Sequence, residues 1–406
     1  MTSTKTTGDQ QLVKRINRSV LLRLIRAQPG LSRAQAASQS GLTKSTVSSA
    51  VRELIEEGWL SEMGEAAASA ARVRSASRGL GRPSTPLQLN ATARGLIGVE
   101  IAVDCLRAVS VSLLGDVLWS IEVPLKRTEP VHVCQQAARL ARLAHAELKR
   151  MKILLSGIGI GLPGAFDEAN GMVRFAPNLG WRNVAFMPLM LRALQACGLP
   201  DVPVHVQNEA DTAALSEYEF ASNEGDSALI FVTCDVGVGA GIVLNDRLFT
   251  GAQGMAGEIG HSILQRDGPQ CSCGRRGCAE TFIGARALAR ELNQTGNLQQ
   301  AGHVLGILIQ NLWITFNPGV LVVGGSSCIK YPELVHTAQE TLKTYSASAE
   351  IAAPAMRSAR YGALAAAVGA AALVLHHYLR PMHTRTVRIA VRPPAVERAD
   401  TVPALA

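Results

Sequence analysis

The sequence predicts an α/β protein of more than one domain, in which a small basic helical module precedes two related lobes that face a cleft. Three observations predict this. The chain's 406 residues are too many for one simple core. Positive charge is concentrated at the start, since residues 1–89 hold 13 Lys/Arg against 6 Asp/Glu, a surplus of +7 in a chain whose total is +8. Two later stretches, beginning near 96 and 227, each run strand, hairpin turn, strand and then helical sequence.

The basic module comes first. Residues 1–14 are polar without the apolar centre of a leader, and are expected to be disordered. The chain is therefore expected in the cytoplasm with its cysteines reduced. Ile16, Val20, Leu21, Leu24 and Ile25 recur at helical spacing and stop near Pro29-Gly30. Ser32 can cap a short helix from Arg33 to Ser40, which Gly41 breaks, and Thr43 can cap a third with Val47, Val51, Leu54 and Ile55 inward. Lys44, Ser45, Thr46, Ser48, Ser49 and Arg52 are then the candidate DNA contacts of a helix-turn-helix. Small hydroxyl residues let the backbone approach the major groove, while Lys44 and Arg52 reach phosphates or guanine edges. Gly58-Trp59-Leu60 begins a strand that should become a wing, which makes residues 15–64 a winged domain. The bland alternative is a three-helix interaction domain, but charge concentration and helix order agree independently on DNA. Residues 65–90 form the wing or linker, where Arg78 and Arg82 on flexible glycines suit a narrow minor groove.

The body follows. Leu96–Val103 is an apolar run, Leu106–Leu113 alternates, Gly115-Asp116 makes a turn, and a helix from Val131 to Lys149 precedes the buried strand Ile158–Gly161. Strands at Ser227–Thr233 and Gly239–Leu244, with the turn Asn245-Asp246, open the second lobe. The expected division is 91–207 plus a helix at 360–380 for lobe one, 208–359 for lobe two, and a poorly ordered tail at 381–406. Tyr361–Leu379 is long enough to span a membrane, but its small residues, with Gly362 and Gly369, fit a closely packed buried helix better. No membrane partner is expected.

His261, Cys271, Cys273 and Cys278 offer one imidazole and three thiolates within 18 residues, a closed tetrahedral set that suits structural zinc. Gly274 and Gly277 permit the reversal that returns Cys278 to the metal.

Pro177-Asn178-Leu179-Gly180-Trp181, Asn208-Glu209-Ala210, Gly254–His261 and Cys273–Glu280 together resemble the ROK family of bacterial sugar kinases and sugar-responsive repressors. The likeness runs from about Leu96 to Leu379, and the helix-turn-helix extension resembles the repressor branch. It implies an actin/hexokinase-like body of two RNase-H-like lobes. It also implies a monosaccharide site lined by Asn178, Asn208, Glu209, Glu258, His261 and Glu280. Amides and carboxylates suit a ring of hydroxyls, and His261 can face zinc with one nitrogen and a hydroxyl with the other.

Against the kinases of that family, this chain departs on the nucleotide side. Their acidic-x-Gly-Gly-Thr turn is Glu100-Ile101-Ala102-Val103-Asp104 here, and their Gly-Thr-Gly-x-Gly turn is Asp235-Val236-Gly237-Val238-Gly239. A carboxylate beside polyphosphate is repulsive, by about 1 kcal/mol at 4 Å in water and more when sheltered. The family's catalytic Asp is Glu209, displaced by roughly 1 Å. Gly324-Gly325 matches a turn that meets adenosine in the kinases. The resemblance therefore implies a regulator that has lost kinase activity, a homodimer or tetramer that binds a double-stranded operator and answers to a monosaccharide. The alternatives are an active sugar kinase fused to a DNA-binding domain, and a zinc-stabilised DNA-binding protein without a sugar effector.

Overall fold

The computed structural model describes residues 10–64, 85–221, 228–252, 254–381 and 387–388. Helix α1 (Gln10–Ala27) begins earlier than expected, so residues 10–14 are helical rather than disordered. Its early turns have partners on the third helix: Lys14 pairs with Glu53 at 2.8 Å, and Arg18 pairs with Glu57. Helix α2 (Arg33–Ser40) starts and ends, and α3 (Lys44–Glu56) starts, where their caps predict. Ser32 and Gln35 form a reciprocal capping box, Gly41 closes α2 at φ 70°, and Thr43 Oγ1 accepts from the Thr46 N–H at 3.2 Å. Strand β1 (Leu60–Glu62) pairs antiparallel with β2 (Leu87–Leu89) and makes the base of the wing. The segment between them, with Arg78 and Arg82, lies outside the described residues.

Lobe one contains β3 (Arg94–Ile101), β4 (Cys105–Ser112), β5 (Val117–Pro124), α4 (Pro130–Arg150) and β6 (Leu154–Leu162). The short strands β7 (Ala165–Asp167), β8 (Met172–Ala176) and β9 (Trp181–Val184) form a separate three-stranded sheet, and α5 (Phe186–Ala196) and β10 (Pro203–Asn208) follow. Helix α6 (Glu209–Phe220) leads to lobe two. This lobe holds β11 (Ala228–Cys234), β12 (Val238–Leu244), β13 (Arg247–Leu248), α7 (Glu280–Ile283), α8 (Ala285–Thr295) and α9 (Gln299–Phe316). It is completed by β14 (Val320–Gly324), α10 (Ser326–Lys330), α11 (Pro332–Ser348) and β15 (Met356–Ser358). Helix α12 (Ala365–Leu379) returns to lobe one, and β16 (Val387–Arg388) adds an edge strand beside β10. Of the tail expected to be poorly ordered, only residues 381 and 387–388 are described, and the latter two pair with the edge of the sheet.

The two main sheets repeat one plan. Their orders are β16-β10-β6-β3-β4-β5 and β13-β12-β11-β14-β15. In each, three strands form an antiparallel meander and two more add in parallel beside the first. The repeat read from the two strand-hairpin starts is therefore present as topology.

Between the sheets run α6 and α12. The apolar helix α12 is a core element, buried along Ala367–Leu375. Two glycines set its depth. A β-carbon at Gly159 of β6 would sit 1.6 Å from the Ala370 carbonyl oxygen, and one at Gly369 would sit 1.6 Å from that of Thr212 on α6. Neither distance is tolerable for any side chain, so the two helices and the sheet pack backbone to backbone.

The basic module is seated directly on this body, which the expectation of a linker did not anticipate. Leu21, Leu22, Val51 and Leu54 share one buried cluster with Val109, Val111, Ala371 and Leu375. Trp59 stacks on Tyr378 at 4.0 Å between centroids, and the Arg94 guanidinium lies 4.9 Å from the Trp59 ring.

Candidate functional site: a cleft beside a thiolate cluster

The carboxyl ends of β3, β6, β10, β11 and β14 open onto one cleft, and α6 enters it with its amino terminus. Asn208 caps α6, its Oδ1 accepting from the N–H of Ala210 at 2.7 Å. Its Nδ2 donates to the Gly164 carbonyl at 3.0 Å, which leaves one amide hydrogen for a ligand. Glu209 follows on the cleft wall. It is partly buried, but its Oε2 is out of solvent and has no hydrogen-bond partner among the described residues. Burial, with the charge of Glu100 adding, pushes its carboxyl up to about 8. Asn178 sits exposed in the 3-10 turn Pro177–Leu179, whose position Trp181 fixes through an indole N–H to the Thr128 carbonyl at 2.6 Å.

Lobe two supplies the opposite wall. The Val238 N–H donates to Glu280 Oε2 at 3.3 Å, so this carboxylate is held by the start of β12. Glu258 stands one turn before His261, and burial raises its carboxyl above the ordinary value. All six residues expected around a sugar, Asn178, Asn208, Glu209, Glu258, His261 and Glu280, line this one cavity of about 220 Å³.

The thiolate cluster adjoins it. The ligand atoms of His261, Cys271, Cys273 and Cys278 lie within 4.8 Å of one another. Cys273 Sγ and Cys278 Sγ are 3.7 Å apart, and Cys271 Sγ is 3.7 Å from His261 Nδ1. Metal–sulfur bonds of about 2.3 Å at tetrahedral angles put sulfurs about 3.8 Å apart, so the set fits one metal ion. Gly277, at φ 71°, is required: a β-carbon there would meet the Gln265 carbonyl oxygen at 1.7 Å. With Nδ1 turned to the thiolates, His261 keeps Nε2 for the cavity.

The other end of the cleft is occupied by the protein's own acids. Asp235 Oδ1 accepts from the Ser326 N–H at 2.5 Å, just after the Gly324-Gly325 turn, and Oδ2 accepts from the Thr233 hydroxyl at 2.6 Å. Asp104 is exposed on the β3–β4 turn, with Ala102 and Val103 beside it in the cavity wall. Glu100 is buried, and desolvation lifts its carboxyl to about 7 despite Arg107 at 3.1 Å. Sequence reading missed Arg107 and Thr233. Arg107 was legible only as a charge within an alternating strand, and Thr233 only as a hydroxyl two residues before Asp235.

On the basic module, Lys44, Ser45, Ser48, Ser49 and Arg52 are exposed along α3. Thr46 is half-buried, and its hydroxyl meets that of Thr43 at 2.8 Å, so it serves the cap before any ligand.

Comparison with known proteins bears on both halves. A ROK family model matches residues 96–377, and a winged helix-turn-helix DNA-binding model matches residues 15–61. The xylose repressor of Bacillus subtilis (strain 168) is 28% identical over 393 residues, which cover 92% of this chain and 98% of the repressor. A glucokinase of Streptomyces coelicolor is 34% identical over 203 residues, 50% of this chain and 60% of the kinase. Among solved structures, a ROK family transcriptional regulator homologous to the E. coli MLC protein superposes with a TM-score of 0.71. Its identity is 23%, over 91% of this chain and 98% of that one, a likeness of fold.

Proposed function

This chain belongs to the ROK family, and from that premise we propose that it is a sugar-responsive, DNA-binding transcriptional repressor acting in the cytoplasm. The observation that carries the reading is the convergence of Asn178, Asn208, Glu209, Glu258, His261 and Glu280 on one cavity in a chain that also bears an exposed recognition helix. A monosaccharide presents alternating donors and acceptors around a ring, and this wall of amides and carboxylates answers both. The B. subtilis relative is named a xylose repressor, which makes D-xylose the first effector to try.

Zinc is the metal that the three thiolates and one imidazole suit, and four protein ligands leave it no open position for water. Its part is to fix the ring of His261 so that Nε2 points at a sugar hydroxyl. Kinase chemistry is lost in this reading. Nucleotide phosphates need backbone N–H groups and a metal. Asp235 takes the Ser326 N–H for itself, and Asp104 adds a second negative charge.

A homodimer or tetramer would place recognition helices about one helical turn apart on a palindromic operator. Lys44, Ser45, Ser48, Ser49 and Arg52 face that groove, and Arg78 and Arg82 in the wing segment are assigned to the neighbouring minor groove. The test is calorimetric titration of the purified protein with D-xylose, D-glucose and N-acetyl-D-glucosamine, alongside retention of genomic DNA fragments. One sugar is expected to bind and to change operator affinity, and Glu258→Ala is expected to abolish sugar binding while retaining DNA. ATP-dependent phosphorylation of any of these sugars at an ordinary enzymatic rate would overturn the proposal.

A further inference from the structure

Helix α6 and strand β12 run side by side from the cleft to the DNA-binding module. α6 starts with Glu209 on the cleft wall and ends at Glu219 and Phe220, about 16 Å away. β12 starts at Val238, which holds Glu280, and reaches the Asn245-Asp246 turn after about 23 Å. They touch backbone to backbone, because a β-carbon at Gly241 would meet the Ala210 carbonyl oxygen at 2.2 Å, and α6 touches α12 in the same way at Gly369.

At the far end, both present an acid to α1. Arg26 Nη1 donates to Glu219 Oε2 at 2.5 Å, and Glu219 Oε1 pairs with His376 at 2.7 Å and Arg380 at 2.6 Å. Arg23 donates to Asp246 Oδ2 at 3.4 Å, while Asp246 Oδ1 accepts from Arg380 at 3.4 Å and from the Tyr218 hydroxyl. Asn245 and Asp246 sit at φ 51° and 64°, the left-handed geometry of a two-residue hairpin turn, which fixes the direction of the carboxylate.

The remainder of α1 is held differently. Leu21, Leu22 and Ile25 pack into the core they share with lobe one and α12. Apolar packing tolerates small sliding, whereas a hydrogen-bonded ion pair weakens steeply with distance and angle. The module therefore sits on lobe one and α12 through its core, and meets Glu219 of α6 and Asp246 of lobe two through charges.

We propose that Arg23 and Arg26 against Asp246 and Glu219 form an ionic joint that passes lobe movement on effector binding into α1, and through it into the recognition helix. The joint rests on the reading of the cleft as an effector site. Glu219 is buried and Asp246 is half-exposed, so the Arg26 pair is the stronger link and the Arg23 pair the weaker.

The experiment uses the full-length protein, its retained operator fragment, and the sugar among D-xylose, D-glucose and N-acetyl-D-glucosamine that binds the wild type. Operator affinity is measured with and without that sugar for wild type, Arg26→Gln and Asp246→Asn, and sugar affinity is measured without DNA. Arg26→Gln leaves Glu219 its contacts with His376 and Arg380, and Asp246→Asn changes a surface turn, so the two variants do not share one folding risk. Both are expected to keep wild-type sugar affinity. The sugar-induced change in operator affinity is expected to fall about fivefold or more in Arg26→Gln, and by less in Asp246→Asn. Full wild-type response in both variants overturns the joint and leaves the effector reading standing. A wild type that binds operator but answers to none of the three sugars overturns the effector reading, and the joint with it.

Discussion

Among single residues, Glu209 concentrates the chemistry of the cleft. Its carboxyl titrates near 8 in the fold against 4.5 ordinarily, because burial and the charge of Glu100 disfavour the anion. The folded protein therefore holds a proton that the unfolded chain releases above 4.5. Stability from this group is lost as pH rises from about 4.5 to about 8, at no more than about 1.4 kcal/mol per unit. Glu209→Gln removes that loss, so melting curves from pH 5 to pH 8 should show the variant gaining on wild type as pH rises. The metal ligands make a second residue-scale prediction. Purified protein should carry about one zinc per chain by elemental analysis, and Cys273→Ser should lower that content and weaken sugar binding through His261. The metal ligands were legible because Cys and His in tight spacing have few bland uses, whereas Glu209 came only from the family resemblance. The orphaned Oε2 of Glu209 was not legible, since it depends on which lobe faces it.

Caps and close contacts decide the individual elements. Ser32, Gly41 and Thr43 located both ends of α2 and the start of α3 in advance, because N- and C-cap chemistry is local. The sheet β7–β9 was invisible, as strands of three to five residues offer too few positions for alternation to show. The small residues of α12 pointed to close packing from sequence alone, and Gly369 is where α6 touches. Gly369→Val should overpack that contact by about 1–3 kcal/mol or more, lowering the denaturation midpoint in urea and reducing soluble yield. A variant as stable as wild type would contradict the backbone-to-backbone packing.

At the scale of the whole molecule, the two lobes repeat one strand order while the winged module shares a core with the first of them. The repeat was readable from two strand-hairpin starts. The shared core was not, because no local period says that the inner face of α1 meets α12 rather than closing on α3 alone. Trp59 belongs to that seam, 4% exposed and stacked on Tyr378. Trp59→Ala should cost about 3 kcal/mol and lower the melting temperature of module and lobe one together, seen as one calorimetric transition shifted rather than two separated. A chain built this way is poorly suited to exchange of its winged module. A chimaera that grafts a foreign winged domain onto this sensor inherits neither the aromatic partner for Tyr378 nor the surface that α12 expects. Specificity for a new operator is then reached by replacing side chains along α3 in place, leaving the graft boundary intact.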